Sequence, residues 1–572
     1  MATIQPIART VDFDRIAALP RRTPTLEDAE VWAEVMAEEL RRPGSKAYLL
    51  PRQGYALAEI ADAPPGRGCL LGLPVGVGKT HLTYLALFLW KAKAPLFIGG
   101  AALEGKTWAN FARLRPDWGA PPCPLRYLSR EALAREDREH VLESLRPDVI
   151  ILDEGDELSN WGASAVKRID RYVMKHPHVR VLFLTGTPGR LSVLDIWHPL
   201  RWTHREDMPL PRHRSEAEHW AWALDERVRS PRRPHPGPLG ATRADAIEWV
   251  NARITETPGV VFFDGDSCDQ DITIRQVMAA EDPILNEAFR VFRREAKNPG
   301  GIFVSDTLSA WLLEGQLGCG LYSRYVEPPP EEWLVARRAF AKFVRDRIMY
   351  SARSSRPLDT EAQVVRRHPD APAVTEWQRL RDEFDPKMES VWVSTSAVSS
   401  AIQWVKSEDE PGIIWCGSVE YAVALAEAGG YDYFGAGGKS ARSGRGLEVF
   451  DGQTRATETI VASWNANKRG FNLQAWRRML LVMPPQSAKW LEQVFGRIHR
   501  QGQDRPVTID FLITSGGTLD LFEKAFAEAV FGKRTFTLTQ KILRATIERR
   551  RPRKTPANQF RWATKDKVHD NG

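Results

Sequence analysis

Between residues 69 and 184, four short apolar runs alternate with stretches of helical spacing: Cys69-Leu-Leu71, Pro95-Leu-Phe-Ile98, Val149-Ile-Ile-Leu152 and Val179-Arg-Val-Leu-Phe-Leu184. Such runs read as strands buried on both faces, and strands separated by helices are joined by crossovers, which makes the sheet parallel. The alternation returns near Ser396 and continues through Gly412-Ile-Ile-Trp-Cys416, Glu458-Thr-Ile-Val-Ala-Ser463, Arg478-Met-Leu-Leu-Val-Met483 and Val507-Thr-Ile-Asp-Phe-Leu512. The expected fold class is α/β, with two parallel-sheet lobes in tandem and helical insertions. Parallel sheets place ligands beyond the carboxyl ends of their strands, and polar residues gather there in this chain.

The chain of 572 residues is too long for one core. The pattern divides it into a polar, helical lead-in (1–45), a first lobe (46–275), a helical accessory or bridging segment with Trp311, Trp333 and Trp377 (276–394), a second lobe (395–535) and a basic tail (536–572). Within the first lobe, 201–240 is rich in Arg, His and Pro (Arg212-His-Arg214, Arg229-Ser-Pro-Arg-Arg-Pro-His-Pro236) and reads as a loop-rich insertion, either a DNA contact or a solvated linker. A hydrophobic fraction of 43% and a charged fraction of 27% are those of a soluble globular protein. No apolar run is long enough to span a membrane and the N-terminus lacks a signal-peptide core, so a cytoplasmic protein is expected. Five scattered cysteines without a C-x-x-C pair argue against a disulfide framework and a structural zinc site. A net charge of +7 is too small to prove nucleic-acid binding and permits a local basic groove.

Gly72-Leu-Pro-Val-Gly-Val-Gly-Lys-Thr80 lies between the first apolar run and a predicted helix over His81–Lys91. Glycines here let backbone N–H groups turn toward phosphate oxygens, and the helix N-terminus adds partial positive charge. Gly76, Val77, Gly78, Lys79 and Thr80 are therefore the expected phosphate cradle, Lys79 reaching the outer phosphates and the Thr80 hydroxyl binding Mg2+. The strict pattern wants glycine where this chain has Leu73. Asp153 and Glu154 follow the apolar run at 149–152. Asp153 suits a Mg2+ ligand, and Glu154 suits orientation and activation of an attacking water. Thr185-Gly-Thr-Pro188 ends another run, where its hydroxyls can meet the carboxylates. Far downstream, Glu492-Gln-Val-Phe-Gly-Arg-Ile-His-Arg-Gln-Gly-Gln503 carries Arg497 and Arg500 three residues apart, on one face of a helix. Their planar, permanently charged forks suit phosphate oxygens.

In this order, Gly76-x-Gly-Lys-Thr80, Asp153-Glu-Gly-Asp156, Thr185-Gly-Thr-Pro188 and the 492–503 segment resemble the superfamily 2 helicase-like ATPases. Leu194-Asp-Ile-Trp197 and the His-Arg-Gln-Gly-Gln ending resemble the Swi/Snf-type branch. The resemblance spans roughly residues 48–275 and 395–530. It implies two RecA-like lobes, ATP and Mg2+ in the cleft between them, and duplex DNA crossing both. It also implies roles: Gln53 matches the adenine-reading glutamine, and Arg497 and Arg500 match the arginines presented to the γ-phosphate. Gly470-Phe-Asn-Leu-Gln474 resembles the segment coupling DNA contact to the nucleotide, with Gly470 on the nucleotide side, and Ala101-Ala-Leu103 with Trp108 resembles a backbone-contacting segment.

Asp156 stands where such proteins often have histidine, and Asn467-Lys-Arg469 replaces a more glycine-rich run. The leading expectation is a DNA-stimulated ATPase that moves along a duplex, with Lys79, Asp153, Glu154, Arg497 and Arg500 as catalytic residues. The alternatives are a strand-separating helicase acting on forks or recombination intermediates and, from another class, a catalytically silent nucleic-acid-binding module. His499, Gln501 and Gln503 are expected to serve contacts between lobes rather than chemistry.

Overall fold

The computed structural model describes residues 5–23, 25–74, 76–189, 191–225, 233–265, 268–304, 307–351, 357–467, 471–485 and 487–548. Six strands build a first sheet: β1 (Cys69–Gly72), β2 (Pro95–Gly99), β3 (Arg126–Ser129), β4 (Val149–Leu152), β5 (Arg180–Thr185) and β6 (Val260–Phe262). The order is β3-β2-β4-β5-β1-β6 and every pair is parallel. Every residue of β1, β2 and β4 is buried, as continuous apolar runs require when helices cover both faces. Next come β7 (Ile272–Met278) and an antiparallel pair, β8 (Leu321–Tyr325) with β9 (Met388–Trp392). The chain continues through β10 (Ile413–Cys416), β11 (Asp432–Phe434), β12 (Ile460–Ser463), β13 (Arg478–Val482), β14 (Val507–Ile513) and β15 (Thr546–Glu548). These join β7 in a second parallel sheet, ordered β11-β12-β10-β13-β14-β7-β15. The protein is thus α/β with two parallel sheets. Among the described residues, no helix is long and apolar enough to cross a membrane.

The expected boundaries shift in four places. Ile272–Arg275, expected in the first lobe, belong to the second sheet: β7 pairs with β14, and Arg275 grips the buried Asp510 with Nε and Nη2 at 2.7 and 2.8 Å. The crossing between sheets therefore lies between Phe262 and Ile272. Residues 536–548, assigned to the tail, include β15, which extends the second sheet from β7. The lead-in is part of the first lobe, since Ile7, Phe13 and Ile16 join its core and Ala29, Ala33 and Ala37 pack in the cluster that also holds Tyr55 and Leu57.

The fourth shift concerns the basic stretch at 201–240. It is not a loop-rich insertion within its described residues: Trp197–His204 and Arg214–Leu224 are helices, and Met208, Leu210 and Trp220 are core. Two of its described arginines, Arg205 and Arg212, are spent within the lobe. Arg212 pairs with Asp12 at 2.9 Å and Glu206 at 2.6 Å, and Arg205 donates to the Gly66, Val173 and Val179 carbonyls. Residues 226–232 lie outside the described part.

Two elements tie the sheets together. The helix Gly516–Phe536 follows β14, gives Phe522, Ala525 and Ala529 to the second core, and then inserts Phe531 and Phe536 into the first. The segment between β9 and β7 also reaches back: the Arg171 guanidinium, on the helix Ser164–Lys175, binds the buried Asp359 carboxylate at 3.0 and 2.5 Å.

Candidate functional site

The loops after β1, β4 and β5 leave the same carboxyl edge of the first sheet, because the three strands are parallel neighbours with β5 in the middle. The Gly-rich loop and Asp153 are thus two strand spacings apart, roughly 10 Å. Gly76 (φ 91°) and Gly78 (φ 82°) adopt left-handed backbone, and Gly78 caps the helix Lys79–Leu89. That conformation turns successive N–H groups to one side and is open to glycine at little cost. Lys79 folds over the loop, its Nζ donating to the Leu73 and Pro74 carbonyls at 3.0 and 3.2 Å. These contacts hold the ammonium against the loop backbone. Thr80 occupies the first turn of the same helix.

Gln53 is buried beneath this loop on the helix Pro51–Asp62. Its Nε2 donates to the Val77 carbonyl at 2.9 Å and its Oε1 accepts from Leu50 N–H at 2.9 Å. It braces the loop directly, a role that the glutamine's position in the sequence did not announce.

Beyond β4, the Glu154 N–H donates to the Asp153 Oδ1 at 3.0 Å, and Glu154 itself sits at φ 51°, ψ 45°. A non-glycine residue in this left-handed region stores of order 1 kcal/mol, strain that recurs at working sites. The Glu154 carbonyl accepts from Arg130 at 3.3 Å. Thr185, at the end of β5, donates to Asp156 at 3.4 Å and accepts from Thr187 N–H at 3.0 Å, so the Thr-Gly-Thr-Pro turn does reach the acidic segment.

The opposing wall is the helix Ala488–Ile498 of the second unit. Gln493 Nε2 donates to Glu154 Oε2 at 3.3 Å across 339 residues of sequence, and Lys489 Nζ meets Asp156 Oδ2 at 2.5 Å. Arg497, one turn after Gln493, is buried and anchored within its own unit, Nε to the Gln493 carbonyl at 3.0 Å and Nη1 to the Phe471 carbonyl at 2.8 Å. Arg500 lies past the end of this helix, which closes at Ile498 with His499 in extended backbone, so the two arginines do not share the helix face that their spacing predicts. Arg500 is partly buried; desolvation lowers its pKa, against which Asp451 acts. Lys106, in the first unit's helix Glu104–Trp118, lies in the same field: burial lowers it to about 8, Arg497, Arg500 and Arg113 push the same way, and Asp451 opposes them. Lys106 thus stands among cations of both units, with Asp451 as the acid that offsets them. No sequence signal singled out Lys106 or Lys489.

No protein-family model matches this chain, and no curated protein matches it.

Not every expected residue joins this wall. His499 bonds the Gln270 carbonyl at 2.6 Å and lies 3.0 Å from Lys541 Nζ, while Gln503 Nε2 donates to the Gln474, Trp476 and Ile498 carbonyls. Gln503 therefore braces the second unit internally, and His499 ties its helix to the crossing segment rather than to the first sheet. Gly470 lies outside the described residues. The Ala101–Leu103 segment is held by its neighbours, with Tyr127 donating to the Gly100 carbonyl at 2.7 Å and Ala101 N–H to Glu131 at 3.1 Å.

Proposed function

We propose that the chain is an ATP-driven DNA translocase whose two RecA-like lobes close on one nucleotide. The observation that carries this reading is the pair of contacts from one helix, Gln493 to Glu154 and Lys489 to Asp156, which seat the arginine-bearing helix on the acidic edge that also presents the Gly-rich loop. A phosphate cradle, a carboxylate pair and desolvated arginines meeting at one cleft are the parts that phosphoryl transfer to water needs.

Gly76, Val77, Gly78 and Lys79 would cradle the phosphates. The Thr80 hydroxyl and Asp153 carboxylate are hard oxygen donors of the kind Mg2+ takes, which fits that ion. When bound, Mg2+ neutralises developing charge on the phosphate oxygens. Glu154, held by Gln493, orients the attacking water and receives its proton. Arg497 and Arg500 supply positive charge from the second lobe, complementary to charge that builds up in the transition state. Lobe closure assembles these groups, so nucleotide state biases an open–closed equilibrium, and DNA held by both lobes is moved by it.

ATP turnover measured with duplex DNA, single strands and RNA, at several salt concentrations, tests the reading. Duplex DNA should stimulate most, with a steep fall in apparent affinity as salt rises. Turnover indifferent to every nucleic acid would refute translocation. Displacement of a triplex strand without unwinding of a forked duplex would separate a duplex translocase from a strand-separating helicase.

A further inference from the structure

Lys489 stands near the start of the helix Ala488–Ile498, about two turns before Arg497. Its ammonium and the Asp156 carboxylate are nearly sealed from water, with side chains 8% and 4% exposed. Glu157 Oε1 lies 3.4 Å from the same ammonium. Asp156 also accepts the Thr185 hydroxyl, which links the pair to the turn after β5. Lys489, Gln493 and Arg497 follow one another at i, i+4 and i+8, and the first two already sit on Asp156 and Glu154.

Resting on the function proposed above, we propose that Lys489 is a positioning residue: with Asp156 it forms a cross-cleft latch that fixes the register of lobe closure and ties it to Thr185. The argument is one of desolvation. When the lobes part, both charges return to water at little cost. When they close in register, the charges pair. When they close out of register, an ammonium and a carboxylate are buried unpaired, which is strongly unfavourable. The pair therefore selects a single closed arrangement, the one in which Gln493 holds Glu154 and the arginine face enters the cleft. An aspartate at 156 suits this partner, since only an anion there matches the lysine.

Asp156→Asn, Lys489→Met and the double variant test the latch, with Lys489→Arg and Glu157→Gln beside them. Each single variant should lower kcat about ten-fold while the dissociation constant of a fluorescent, non-hydrolysable ATP analogue changes less than about two-fold. The double variant should be no slower than the slower single one, because the second substitution removes an interaction already gone. Lys489→Arg should keep most of the wild-type kcat, and Glu157→Gln should stay within about two-fold of it. Unchanged kcat in the singles, or losses that multiply in the double, would overturn the latch. A second readout does not depend on turnover. Cys123 is the only one of the five cysteines that is not buried, so dyes on Cys123 and on Val419→Cys, a 55% exposed position in the second unit, report lobe separation by energy transfer. Lys489→Met should shift that distribution toward wider separation in the presence of the analogue, and an unchanged distribution would overturn the latch. Loss of the parent reading looks different: a wild type without Lys79-dependent turnover refutes the ATPase, while the separation measurement still judges the latch.

Discussion

Gly78 is a position where the Gly-rich loop tolerates little change. Its φ is +82°, and an added Cβ would lie 2.3 Å from Gln53 Nε2 and 3.4 Å from His81 Nδ1. Alanine there meets about 1–2 kcal/mol of left-handed backbone strain. It also drives the Gln53 amide off the Val77 carbonyl, a buried hydrogen bond whose loss adds about 1–2 kcal/mol. The loop escapes this combined strain of about 3 kcal/mol by leaving its shape, and nucleotide binding must then restore it. Gly78→Ala should therefore weaken binding of a fluorescent ATP analogue about a hundred-fold in an equilibrium titration. Adding Gln53→Ala should weaken it little further, because the Gln53–Val77 bond is already lost. Affinity within about three-fold of wild type, or two losses that simply add, would refute the reasoning.

Three further outcomes follow from the packing. Asp359→Ala leaves the buried Arg168, 3.7 Å away, without its acid and frees the Arg171 fork, so denaturant unfolding should show a loss of about 3–5 kcal/mol; an unshifted midpoint would contradict that. Phe536→Ala removes a fully buried ring that packs 5.9 Å from Phe262 and bears on Gly189, and should cost about 3–5 kcal/mol while making the unfolding of the two units less cooperative, as seen by calorimetry. Burial lowers His198 to about 3 and His204 to about 4, against an ordinary value of 6.5, so the fold favours both neutral rings. The unfolded chain binds their protons first. Stability from these rings is full above about pH 6.5 and is lost toward pH 4, by up to about 1.4 kcal/mol per pH unit for each ring. Urea midpoints that stay level from pH 7 to pH 5 would contradict it.

The strands that sequence revealed are those buried on both faces, where an apolar run needs no partner to be recognised: β1, β2, β4, β5, β10, β12, β13 and β14. β7 escaped because its second half, Arg275-Gln-Val-Met278, is only partly buried and its arginine is satisfied by Asp510, more than two hundred residues away. β6 and β15 are three residues each, too short to carry a period. The 201–240 stretch misled because sequence counts arginines as surface charge, whereas Arg205 and Arg212 are spent on carbonyls and acids of the lobe itself. At the cleft, residue types at motif spacing pointed to the loop, the acids and the arginines. Lys489 and Lys106 gave no such signal, because their significance comes from what stands opposite them. The left-handed backbone of Glu154 is a property of the folded turn alone.

The central claim is that one nucleotide is served by both units, and Arg500→Ala tests it most directly. Nucleotide affinity and single-turnover hydrolysis should be measured on the same preparation, with Lys79→Ala as the reference for loss of the first-lobe cradle. The account predicts affinity close to wild type with hydrolysis slowed by about a thousand-fold or more. Unchanged hydrolysis, or a large loss of affinity at unchanged kcat, would contradict it.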